Sequence, residues 1–252
     1  MYRYILSFLF VLLSSGVCLA RDASLKPLSI EVIRDDYKNF YLDGSNLLRL
    51  GIGAGVAGVF ANTSFDTDIR DFYQDNIRNN SVDSMSKALK LPGDVFVTVP
   101  LLSGAYILSK DTSFGEWAQK SLRAIITGAP AGLLLQRATG ASRPLEGSSK
   151  WRPFSDNNGL SGHAFIGAVP FITAAKMNDN LYLKSLFYGL SVLPGITRIN
   201  GDNHYFSQAA LGWYLAYLSY NAVSKTEKAK ENTNLTFLPA SRGGVLILNR
   251  NF

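Results

Sequence analysis

Six apolar segments recur along the chain: Leu47 to Ser64, Pro92 to Ser109, Ser121 to Gln136, Gly162 to Ala175, Leu181 to Thr197 and Tyr205 to Ser224. They are rich in Gly, Ala and Leu, too long for ordinary strands, and separated by polar turns, so each is predicted to be a helix. Helices of this number and length pack most simply as a bundle. The expected fold is therefore all-α, with a six-helix bundle over residues 47–224. Ahead of it, residues 21–46 mix charges with Tyr37, Phe40 and Tyr41 and predict a short amphipathic lead-in. The polar stretch from Phe65 to Lys90 carries Asp66, Asp68, Asp71, Asp75 and Asp83 and reads as a solvated helix face, with divalent-cation binding the competing use. Beyond Lys225, a charged linker leads to Leu235–Pro239 and Val245–Leu248 around Arg242-Gly243-Gly244, the pattern of a small C-terminal hairpin over residues 225–252. One hairpin ending in Phe252 cannot make a barrel, so this tail is expected to cap or dock.

The first twenty residues have the layout of an export signal: Arg3, an apolar run from Tyr4 to Leu13, and Cys18-Leu19-Ala20 before Arg21. A retained anchor is the alternative. Cys18 is the single cysteine, so a cleaved chain would have neither disulfide nor thiol nucleophile. A span needs roughly 20 apolar residues, and Arg123 and Lys184 interrupt two of the segments. Lys110, Lys120, Lys176, Lys184, Lys225, Lys228 and Lys230 all fall at helix ends away from the histidine-bearing turns, which by the positive-inside rule turns those turns outward. A cleaved leader followed by six crossings predicts the reverse. A domain resting on or partly embedded in the membrane, with its site facing the periplasm, reconciles the two.

A net charge of +6 and a pI near 9.3 favour anionic partners in general, phosphorylated lipids and membrane surfaces among them, and do not by themselves choose between those and nucleic acid. No nucleic-acid motif is present, so nucleic acid is not an expected partner. The candidate chemistry lies between Ser142 and Gln208, which hold both histidines of the chain. In order come Ser142-Arg143-Pro144, Leu160-Ser161-Gly162-His163, and Thr197-Arg198 with His204 six positions on. Two arginines and two histidines suit the binding of a tetrahedral oxyanion and the exchange of a group on it. Pro144 stops the preceding helix, and Ser161-Gly162 opens a helix whose first N–H groups can face an anion. Lys150 and Arg152 add charge to the loop after Arg143, while Trp151 and Phe154 either pack that loop or line a pocket.

At these residues the sequence resembles the type 2 phosphatidic acid phosphatase and vanadium haloperoxidase superfamily, whose pattern is Lys-x6-Arg-Pro, Pro-Ser-Gly-His and Ser-Arg-x5-His-x3-Asp. Arg143-Pro144, Ser161-Gly162-His163 and Arg198-x5-His204 keep their places; the lysine position is Gln136 and the aspartate position Gln208. The resemblance implies a six-helix core and two-step phosphoryl transfer without metal or other cofactor. His204 is the implied nucleophile, His163 the acid and then base, and Arg143, Arg198, Ser161 and Gly162 the phosphate cradle. Arg137 is a candidate replacement for the missing lysine charge, Gln208 for the aspartate that orients the nucleophile, and Asp202 a possible substitute carboxylate. The implied substrate is a phosphomonoester or diphosphate, expected to be a lipid of phosphatidate, lipid A or polyprenyl type. A phosphate-binding envelope protein with weakened or lost catalysis is the alternative; vanadate chemistry is disfavoured by the missing lysine.

Overall fold

The computed structural model describes residues 28–231, 233–240 and 243–250, with side chains described through residue 229. The leader, Cys18 and Phe252 lie outside this range. Among the described residues the chain forms nine α-helices. They are α1 (Ile30–Tyr41), α2 (Gly44–Asn62), α3 (Phe65–Asn76), α4 (Asn80–Leu89), α5 (Val95–Ser109), α6 (Ser113–Thr139), α7 (Gly162–Lys176), α8 (Leu181–Asn200) and α9 (Phe206–Glu231). A short 3-10 turn, Leu91–Gly93, links α4 to α5. Strands β1 (Thr233–Ala240) and β2 (Gly243–Arg250) pair antiparallel, with Leu235 opposite Leu248 and Phe237 opposite Leu246.

The six apolar segments are all helical, and three further helices accompany them. One is the lead-in α1, whose Val32, Asp36 and Phe40 are buried at a spacing of four and so share one face. The other two, α3 and α4, arise from the polar stretch. Side-chain caps set most helix starts: Ser29, Asp43, Asn79, Asp94, Thr112, Ser161 and Asn180 each accept an N–H from the first turn that follows.

Helix α7 is the centre of the bundle. From Ala164 to Ala175 only Ile166 is not buried, and α7 packs against α6, α8 and α9. Approach is close where side chains are small: a Cβ on Gly212 of α9 would lie 2.4 Å from the Ser161 carbonyl at the start of α7. Arg123 of α6, which interrupts an apolar segment, is completely buried and faces no solvent or lipid. Its guanidinium takes both carboxylate oxygens of Asp36 at 2.8 Å and also bonds Glu227. One turn earlier Lys120 pairs with Glu116 inside the bundle. Lys120 is thus an internal partner rather than an end-of-helix cation. Thr139 lies 16 residues along α6 from Arg123, about 24 Å at the helical rise. The charge cluster and the end of α6 that leads to Arg143 therefore occupy opposite ends of the bundle.

Helix α2 is the one described helix long and apolar enough to cross a membrane by length and composition. Its Leu48, Ile52, Val56 and Val59 are exposed, as are Phe96 and Leu108 on α5, at 87% and 88%.

Candidate active site

Three separate segments meet at one end of the bundle, and Gln208 joins them. Its amide nitrogen donates to the Ser142 carbonyl at 2.8 Å, beside Arg143. Its own backbone carbonyl accepts the Ser161 N–H at 2.9 Å, just before the Gly162-His163 helix start. Its side-chain oxygen accepts the Tyr205 N–H at 3.1 Å and faces His204 Nδ1 at 2.9 Å. The third side of the triangle is Gln136, whose amide donates to the Leu160 carbonyl at 3.0 Å. Gln136 and Gln208 are therefore neutral amides that tie the three segments together.

This network fixes the state of His204. A backbone N–H can only donate and a carbonyl can only accept, so Gln208 must present oxygen to Tyr205 and nitrogen to Ser142. The same oxygen faces Nδ1, which must then carry the proton. Nε2 is left with its lone pair. His204 is 6% exposed. Burial first, and then the charges of Arg198, Arg143 and His163, outweigh the Gln208 hydrogen bond and push its pKa down to about 4. His204 is thus a neutral imidazole with a free Nε2 over most of the physiological range.

His163 is half-buried, and its pKa is lowered by burial and by Arg198, with Asp94 opposing and Lys90 and Arg143 adding to the fall. It lies against the 3-10 turn: a Cβ on Gly93 would come within 2.6 Å of its carbonyl. Asp94 is held at the start of α5 by the Phe96 N–H at 2.9 Å. Lys90 and Asp94 were not anticipated from sequence. Neither belongs to a spaced motif, and only the docking of the 91–93 turn on α7 brings them near His163.

Arg143 and Arg198 stand close enough for each other's charge to matter: burial and Arg143 together lower the pKa of Arg198. Among the described residues, the Nε atoms of both are buried without a hydrogen-bond partner. The nearest carboxylate to Arg143 is loosely held, with Glu146 at 3.6 Å. The Ser161 hydroxyl caps the Ala164 N–H at 3.3 Å. Among the described residues no protein acceptor takes the N–H groups of Gly162 and His163, which remain at the positive end of α7. Two repelling guanidiniums with unused buried donors, beside a helix start, define a place for an anion.

Three expectations take a different form. Arg137 is exposed on α6 and has no ion-pair partner among the described residues, whereas Gln136 is tied to the Leu160 carbonyl. Asp202 is engaged elsewhere: it forms a two-point ion pair with Arg70 of α3, at 2.7 and 2.6 Å, while Gln208 faces His204. The acidic stretch is not a uniformly solvated face, because Asp66 is wholly buried. In the loop after Arg143, Trp151 packs on Gly58 of α2, while Lys150, Arg152 and Phe154 are exposed. The loop is docked by the Tyr205 hydroxyl on the Gly147 carbonyl at 2.9 Å. Comparison with protein-family models, with curated proteins and with solved structures gave no match for this chain.

Proposed function

We propose that the protein is a phosphatase that transfers a phosphoryl group from a lipid phosphate to His204 and then to water. The observation that carries this reading is the pairing of a buried, neutral histidine of defined tautomer with two arginines whose buried Nε donors are unused. His204 Nε2 attacks phosphorus, and the bond to the leaving oxygen breaks. Protonated His163 gives its proton to that oxygen, which departs as the alcohol or, from a diphosphate, as the monophosphate. Arg143, Arg198 and the Gly162 and His163 N–H groups hold the phosphoryl oxygens as charge builds on them. In the second step His163, now neutral, takes a proton from water as the water attacks the phosphohistidine, returning His204 with its lone pair. The arginines supply the electrostatic stabilisation, so no metal enters the scheme.

Apolar side chains close in sequence to the site support an amphiphilic substrate. Leu145 follows Arg143 by two residues, Phe96 follows Asp94 by two, and Ile196 precedes Arg198 by two; all three are exposed. With α2 and α5 presenting further apolar side chains, the reading is a cell-envelope enzyme working on phosphatidate, lipid A or polyprenyl phosphates at the membrane surface from the periplasmic side.

The test is phosphate release by purified protein in detergent with EDTA, from a panel of lipid and soluble phosphates, against His204→Ala. Release that disappears in the variant supports the reading. Phosphate binding without release, in folded protein, would instead support a phosphate-binding envelope protein, which the neutral Gln208 on His204 Nδ1 favours because it brings no charge to balance an imidazolium.

A further inference from the structure

The stretch from Phe65 to Lys90 looks, by composition, like the least informative part of the chain. In the fold it is applied to the segment 199–207, which carries His204. Arg70 of α3 grips Asp202 with two parallel bonds of 2.7 and 2.6 Å. Asp66 accepts the Ser207 N–H at 2.9 Å and the Ser207 hydroxyl at 2.6 Å. Gln74 donates to the Ile199 carbonyl at 2.9 Å, and Asp83 of α4 accepts from Asn200 at 2.7 Å. His204 is thus bracketed: three contacts fall before it and one just after.

Each bracket has a local physical purpose. Asp202 sits in the left-handed region at φ 55°, a conformation that side chains other than glycine's adopt only at a steric cost, Asp and Asn most readily. A planar guanidinium fork engages both of its carboxylate oxygens and so specifies that conformer. Ser207 occupies the first turn of α9, where the N–H groups have no partner within the helix. Asp66 supplies the cap from another helix, and at zero exposure it cannot swing away. Burial raises the pKa of this carboxyl while the Ser207 bonds pull the other way, so Asp66 is retained at an electrostatic cost.

We propose that α3 is a positioning strut for the nucleophile: Arg70 sets the turn before His204 through Asp202, and Asp66 fixes the start of the helix that carries Gln208. Arg70 and Asp66 touch no substrate and act through His204. The inference rests on His204 being the working group of the site, and its test reads that residue without needing turnover.

The experiment is an NMR titration of the two histidine rings in the full chain, with kcat and KM measured in parallel, for wild type, Arg70→Met, Asp202→Asn, the double variant, and Arg123→Met. Arg123 is a control because it lies at the far end of the bundle. Loosening the turn lets water reach His204, so Arg70→Met and Asp202→Asn raise its titration midpoint by one pH unit or more. Each lowers kcat by about ten- to a hundredfold, with KM changed less than threefold. The double variant is no worse than the worse single one, as expected for two ends of one contact. Arg123→Met lowers the melting temperature and leaves the His204 midpoint in place. Folded Arg70→Met with an unchanged His204 midpoint would overturn the proposal, whether or not the wild type releases phosphate. A wild type with the expected titration but no turnover would instead count against the phosphatase reading alone.

Discussion

At Gln208 the side-chain amide accepts from Tyr205 N–H and His204 Nδ1 and donates to Ser142, so a carboxylate at this position cannot reproduce its work. In the sequence it resembles a defective aspartate. In the fold it closes the first turn of α9, reaching back to the N–H of Tyr205 as Glu or Gln does in a capping box. Gln208→Asp is one methylene shorter and loses the donor to Ser142; activity is expected to fall about tenfold rather than rise. Gln208→Ala, which releases the tautomer as well, should cost on the order of 10²-fold or more in kcat, within the range of misdirected acid-base groups. Steady-state kinetics on the two variants checks both, and a gain in Gln208→Asp would contradict the bridging role. The titrations give a second expectation. The proposed mechanism needs His204 neutral, hence pH above about 4, and His163 protonated, hence pH below a midpoint that burial and Arg198 hold under the ordinary histidine value. The profile of kcat/KM should be a bell in the acid range, falling through neutrality, and a plateau extending past pH 7 would rule it out. The identities of His163, His204, Arg143 and Arg198 were legible because their spacing is carried by the local chain. The true partners of Gln208 and Asp202 were not, because Ser142 and Arg70 stand 66 and 132 residues away.

At the scale of elements, long Gly-, Ala- and Leu-rich runs marked six helices because burial demands apolar length, and only their ends moved. The strongest extension is α6, which continues back through Glu116, Lys120 and Arg123 as one 27-residue helix. Arg123 looked like an interruption and Lys120 like a helix-end cation; both are compatible with the core because each is answered, Lys120 by Glu116 and Arg123 by Asp36 of α1 and Glu227 of α9. No periodicity within α6 could announce partners 87 and 104 residues away. Helices α3 and α4 were missed as packed elements for the opposite reason: α3 buries only Asp66, so no apolar stripe marks it. Arg123→Met leaves two buried carboxylates unanswered, and removal of one partner from a buried pair typically costs 3–5 kcal/mol. At about 2–4 °C per kcal/mol for a chain of this size, thermal unfolding should move down by roughly 10 °C, with the kcat of folded protein unaffected. Gly140, which ends α6 at φ 61°, is the other sensitive point. A Cβ there would lie 1.8 Å from the Arg152 carbonyl, so Gly140→Ala should destabilise by about 2 kcal/mol or more and disturb the approach to Arg143. Urea unfolding of each variant measures the two costs separately.

For the whole molecule, what matters is where so much exposed apolar surface belongs. The bundle interior is complete, with α7 enclosed by α6, α8 and α9. Leu48, Ile52, Val56 and Val59 nevertheless stand exposed on α2, with Phe96, Ile107 and Leu108 on α5. Within α2 these positions are spaced by four, four and three residues, so they form one stripe along a helix whose opposite side, at Ala57, Gly58 and Ala61, is buried. An exposed apolar stripe of this kind marks an interaction surface, and in the proposed reading a lipid surface covers it while leaving the inward side of α2 undisturbed. The proposed arrangement would bring an amphiphile to the site, because α2 ends at Asn62, whose side chain accepts the Trp151 N–H at 3.1 Å in the loop after Arg143. In that reading, membrane contact and loop position are joined through one helix end. Ile52→Ser with Val56→Ser removes about two buried aliphatic side chains of transfer energy, each roughly 1.5–3 kcal/mol if fully covered. Co-sedimentation with phospholipid vesicles should then fall by at least tenfold, with the melting temperature in detergent unchanged. Hydrolysis of a short-chain soluble phosphate should persist in this variant while hydrolysis of a long-chain lipid phosphate in vesicles declines. Equal loss on both substrates would place the effect in the loop and the site rather than at the membrane.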